Sequence, residues 1–143
     1  MPRTRLLLIA LVALALAGLA AGLVVARGSG ASGRVHAGVV ASGPFQSISW
    51  TTRGRAAIVG KKDGTAVLRL TAFQTQQAPE LWIVLEGRQG VTSRRQLTNL
   101  RSAWGNQEYA VPADVAVHPP ARVLIYCAKC GKVWGYAQLR RSF

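Results

Sequence analysis

The chain has 143 residues, half of them hydrophobic, and its 18 Lys and Arg against 5 Asp and Glu give a formal charge of +13 at neutral pH. A disordered basic tail is excluded, because such chains combine high charge with low hydrophobicity, and the length leaves room for little more than one domain. The two features part at Arg27: the long apolar run lies before it, while fifteen basic residues and all five acidic ones lie after it.

Arg3 and Arg5 precede an unbroken apolar run over residues 6–26, closed by Arg27. At 1.5 Å rise per residue the run makes about 31 Å of helix, against a bilayer core of roughly 30 Å. Residues 1–27 therefore read as a signal anchor that spans the membrane. The alternative is a cleaved signal peptide, with small residues before a cut at Ala20 or Ala26. In either case the two arginines keep the amino terminus in the cytoplasm and the rest is exported. The expected location is the cell membrane, single-pass with an extracytoplasmic C-terminal domain, or secretion if the segment is removed. Residues 28–44, rich in Gly, Ser and Ala, read as a flexible tether carrying a solvated His36.

Residues 45–143 show no long 3.6-residue periodicity but several short alternating runs broken by Gly, Pro and Asn. Ile48 and Trp50 alternate with Ser and Thr, and residues 55–59 form a second run. Asp63-Gly64 has the chemistry of a hairpin turn and leads into residues 65–70. Residues 81–86 (LWIVLE) are continuous enough for a buried central strand, and residues 107–111 end at Pro112, which cannot donate to a ladder. Residues 122–127 and 132–139 flank the four residues Ala128, Lys129, Cys130 and Gly131 as a closing hairpin. Strict alternation puts Val133, Gly135, Ala137 and Leu139 on one face and Trp134, Tyr136 and Gln138 on the other. About eight short strands predict an all-β domain, an antiparallel β-sandwich or barrel-like fold over residues 45–143.

Cys127 and Cys130 form the one constellation with evident chemistry. Haem held by thioethers needs His directly after the second cysteine, and Gly131 stands there. Structural zinc needs four ligands, and there is a single Cys-x-x-Cys; His36 and His118 complete a set only if the tether folds back. No cofactor or metal is expected. A thioredoxin-type site starts a helix, a device that a β setting lacks, although Lys129 and Lys132 supply positive charge that favours a thiolate. Three readings remain: a local structural disulfide suited to an oxidising compartment, a reversible dithiol, and two free thiols with Cys127 buried beside Ile125.

The succession Asp63-Gly64, Leu68-Arg69-Leu70, Phe73, Pro79 with Leu81, Leu97 and Leu100, then Gly105, Gln107, Tyr109 and Pro112, and finally Ile125-Tyr126-Cys127 followed by Val133, Gly135, Ala137 and Leu139 resembles the electron-transfer DM-thirteen domain family. The resemblance covers residues 45–139. It implies a secreted or membrane-attached β-rich domain with one characteristic cysteine, here Cys127, and a role in electron transfer; larger relatives place the domain beside haem-binding and transmembrane cytochrome modules. The chain departs from the pattern twice: Cys130 stands where Phe is usual, and Ala78-Pro79-Glu80-Leu81 replaces Gly-Pro-Asp-Leu. A second cysteine changes the chemistry, since a lone thiol needs an outside partner while a pair closes on itself. Trp134 takes the place of another aromatic, as core packing or as a conductor of electrons to Cys127.

The basic residues are spread over many loops, and the exported setting without a recognition helix argues against nucleic acid. An anionic lipid surface or envelope polymer suits them better, beside the plain reading of a solvated basic surface. No hydrolytic motif is present, and Asp114 with His118 reads as a turn pair. Two functions are expected to compete: a thiol-based redox module centred on Cys127 and Cys130, working with a redox partner protein, and a non-catalytic envelope-binding module in which the cysteines are a structural clip.

Overall fold

The structure, a computed structural model, describes residues 34–142; the expected membrane anchor at residues 1–27 lies outside the described residues. Among the described residues no helix is long and apolar enough to cross a membrane. The described residues form the strands β1 (Gly38–Ser47), β2 (Arg53–Gly60), β3 (Ala66–Gln74), β4 (Leu81–Glu86), β5 (Arg95–Asn99), β6 (Trp104–Val111), β7 (Arg122–Cys127), β8 (Lys132–Gln138) and β9 (Arg140–Arg141), with one short α-helix among them, α1 (Ala113–Val117). Every pairing is antiparallel, in the order β5-β4-β7-β8-β1-β2-β3-β6, and β9 adds to β1.

Strand β1 turns this order into an enclosure. Its residues 38–44 pair with β2, whereas residues 45–47 pair with β8. One strand therefore passes from one layer to the other, and the sheet curls into a nearly closed barrel. Ile58, Leu68, Leu70, Ile83, Val123 and Ile125 fill it from both layers and are almost wholly buried. Truncating any of the leucines or isoleucines among them to Ala costs about 2–5 kcal/mol. Helix α1 closes one end with Val115 and Ala116.

Residues 38–44 differ from the expected tether. Their small side chains serve close packing rather than flexibility: Ala41 is buried, and a Cβ on Gly43 would collide with the Gln138 carbonyl. Composition alone does not separate a Gly/Ser/Ala linker from a strand pressed against its neighbour. Ile48 and Trp50 depart in the opposite sense. The N–H groups of Ile48, Ser49 and Trp50 all point to the Trp134 carbonyl, at 2.9, 3.1 and 3.3 Å, so the strand stops and both side chains are exposed. Asp114 and His118, read as turn residues, bound a helical turn in which His118 N–H donates to the Asp114 carbonyl at 2.7 Å.

The alternation in β8 is broken by a bulge. Ile125 faces Gly135 and Tyr126 faces Val133, which leaves Trp134 as the extra residue. The bulge turns Trp134 into the core, at 3% exposure, beside Ala137. A second bulge, in β3, sets Ala72 at φ 47° and lets its N–H meet Asn106 Oδ1 at 2.8 Å. At the end of β4, Glu86 is buried and held by Arg94 at 2.7 Å and Arg122 at 3.5 Å, so its charge is compensated where strand meets loop.

Candidate functional site

Cys127 is the last residue of β7 and sits opposite Leu81 of β4 and Lys132 of β8. Its inward position follows from the period of two that it shares with Val123 and Ile125. Only 1% of it is exposed. The chain then has four residues in which to reverse. Gly131 does this with φ +66° while its N–H donates to the Cys127 carbonyl at 2.9 Å. That left-handed conformation is strained for any residue with a Cβ. Cys130 is thereby carried to the outside and is exposed.

The two cysteines are joined in a disulfide, with Cα atoms 5.2 Å apart. The reading of two free thiols is thus corrected, for the four-residue loop brings the pair within bridging reach. The bond is one-sided: one sulfur belongs to the core residue and the other to the exposed residue. The Cys130 N–H also donates to Cys127 Sγ at 3.1 Å. Lys129, between the two cysteines, and Lys132, two residues past Cys130, are both exposed.

The loop is anchored from a second direction, because Ala128 N–H donates to the Glu80 carbonyl at 3.0 Å. Glu80 adopts φ 57° directly after Pro79. This is the left-handed position that Asp and Asn accept more readily than Glu, which gives physical meaning to the departure from Pro-Asp noted in the sequence. Backbone strain of roughly 1–2 kcal/mol is thus held against the disulfide loop.

A set of aromatic side chains shares this end of the barrel. The Trp134 ring lies 5.8 Å from that of Trp50, tilted by 50°, and Trp50 is 48% exposed. The Trp134 indole N–H is buried without an acceptor. Beneath it Gly135 carries no side chain because Thr52 fills the space: a Cβ there would lie 2.5 Å from the Thr52 Cβ. Thr52 and Thr75 pair their hydroxyls at 3.2 Å, both buried. Sequence reasoning missed this pair and the Trp50 contact, since neither follows from strand periodicity; Gly135 within an aromatic strand was the one signal of a close approach.

His36 and His118 are not gathered with the cysteines. His36 lines a surface cavity with Arg141, and His118 lines another with Asp114. Among the described residues no three His, Cys, Asp or Glu side chains converge as metal ligands.

A family model described as electron transfer DM13 matches residues 44–139. The chain belongs to the electron transfer DM13 family. The match begins at residue 44, within β1, and ends one residue past β8, so it takes in the end of β1, all of β2 to β8 and both cysteines. Membership brings an electron-transfer role of a general kind. No curated protein and no solved structure matches the chain.

Proposed function

We propose that the Cys127–Cys130 disulfide is the working redox centre of this DM13 domain, exchanging electrons in pairs with a dithiol partner protein outside the cytoplasm. The observation that carries the reading is the asymmetry of the bond, with Cys127 in the core and Cys130 exposed. A thiolate of the partner attacks Cys130 Sγ, the bond to Cys127 breaks, and its electron pair leaves on Cys127 Sγ. The Cys130 N–H and the charges of Lys129 and Lys132 offset part of the cost of negative charge beside the core. The partner's second thiolate then attacks its own sulfur in the mixed disulfide and releases Cys130 as a thiolate. Each cysteine takes up a proton, and the partner ends as a disulfide. The basic surface and the apolar run at residues 6–26 support a domain tethered to the outer face of a membrane.

The test is capture of the intermediate. A thioredoxin-type probe lacking its second cysteine cannot complete the exchange, and with the full chain it is expected to form a covalent adduct on Cys130, located by peptide mass spectrometry. Absence of an adduct, or one on Cys127, would overturn the reading.

A further inference from the structure

The other end of the barrel carries a different surface. Three cavities meet around β9: Arg141 lines all of them, Arg140 two, and Arg34, Arg55 and Arg88 one each. Among the described residues no acidic side chain lines any of the three. The acidic residues are engaged elsewhere. Glu86 is held by Arg94 and Arg122, Glu108 by Arg69 at 2.8 Å, and Asp114 by Arg95 at 3.7 Å, while Asp63 and Glu80 lie in turns. Val39, 46% exposed, stands among the arginines.

We propose that this rim binds the headgroups of an anionic lipid surface. The occupant follows from charge, from the exposed valine and from where the chain enters. Arg34 lies at the rim itself, and the apolar run ends at Ala26. Seven residues lie between, so eight Cα-to-Cα steps give a reach of at most about 29 Å. Any bilayer that holds residues 6–26 therefore keeps its headgroups within that distance of Arg34. The rim also lies at the Arg122 end of β7, because Gln138, which faces Arg122, lines two of the cavities. Six residues of strand, roughly 20 Å, separate that end from Cys127. A rim seated on lipid leaves the disulfide facing away from the membrane. The proposal stands independently of the redox reading.

Gly33–Phe143 forms a compact unit with its own core, so it is tested without the apolar run. At low salt the domain is expected to sediment with phosphatidylcholine vesicles in which phosphatidylglycerol replaces about a third of the lipid, and not with phosphatidylcholine alone. Each basic residue near such a surface is worth about fivefold in affinity, so Arg140→Glu with Arg141→Glu is expected to weaken binding about 25-fold or more. Lys129→Glu with Lys132→Glu, an equal change of net charge at the far end, is expected to leave binding within a few-fold of the parent. Arg55→Glu with Arg88→Glu repeats the test on other elements should the β9 variant fail to fold. Equal losses from the two ends, or no sedimentation with anionic vesicles, would overturn the proposal. Competition by inorganic phosphate at constant ionic strength would move the site to a soluble phosphate ligand and overturn it as well.

Discussion

Two hairpins of this barrel solve the same problem by different means. Between β2 and β3 the chain reverses over five residues, held by hydrogen bonds alone: Lys61 N–H to the Thr65 carbonyl at 2.8 Å, Gly64 N–H to the Lys61 carbonyl at 3.0 Å, and Thr65 N–H to Asp63 Oδ1 at 2.9 Å. Between β7 and β8 it reverses over four residues with one backbone turn bond, from Gly131 N–H to the Cys127 carbonyl, a bond from Cys130 N–H to Cys127 Sγ, and a disulfide. Both use a glycine at positive φ, Gly64 at 85° and Gly131 at 66°. The first hairpin shows that a loop of this size closes without a covalent clip. A bridge across three residues also stabilises little, about 2 kcal/mol in the chain-entropy estimate, because the loop it closes in the unfolded chain is so short. Stability alone therefore gives a weak reason for a disulfide in the second hairpin, which is consistent with the redox role proposed for it.

The largest expected effect that sharpens the contrast is in Cys127→Ser. It removes the bridge and leaves a hydroxyl at a core position, a combined loss of about 4 kcal/mol by urea unfolding. Cys130→Ser removes the same bridge from the exposed side and is expected to cost about 2 kcal/mol, with loss of thiol exchange. Equal losses in the two variants would contradict the asymmetry of the site. Gly64→Ala and Gly131→Ala come next, each expected to cost about 1 kcal/mol. An added Cβ meets nothing within 4 Å at either position, so only the positive φ is penalised and the two hairpins should respond alike. A much larger loss at Gly131 would show that the disulfide strains its turn.

The smallest effect concerns pH. The Thr65 hydroxyl, followed by the Thr65 N–H, holds the Asp63 carboxylate below its ordinary value. With the folded value below the unfolded one, the contribution is present above the unfolded value, about 3.9, and is lost as pH falls through the folded one. Asp63→Asn should thus lower the melting temperature slightly at neutral pH, with the difference closing in acid. The β7–β8 hairpin has no counterpart to this dependence in its turn bonds. A difference that persists at low pH would remove the carboxylate from the account of the first hairpin.

Much of this arrangement was legible in the sequence, for reasons that particular residues show. Residues 81–86 and 122–127 are largely apolar stretches, and both are strands with the expected bounds, each paired on both sides within the sheet and largely buried. Strand β5, Arg-Gln-Leu-Thr-Asn, gives no such signal because it lies at an edge and needs little apolar surface. Helix α1, at five residues, is too short to show a helical period. The pairing of Cys127 with Cys130 was among the open readings, as spacing alone allows a bridge without requiring one. Their unequal burial and the inward turn of Trp134 were not legible to the same degree, since the bulge in β8 and the turn at Gly131 shift the phase of the alternation. Such phase shifts depend on which residue faces which across the ladder, and that is a property of the assembled sheet.

The most direct test of the redox role proposed for the disulfide is the midpoint potential of the Cys127–Cys130 couple. The full chain would be equilibrated in graded thiol–disulfide buffers, and the reduced fraction trapped by alkylation and counted by mass. A couple that exchanges with a dithiol protein should titrate between about −180 and −270 mV. A midpoint below about −300 mV, the range of structural disulfides, would contradict the assignment and leave the bond as a clip on a hairpin.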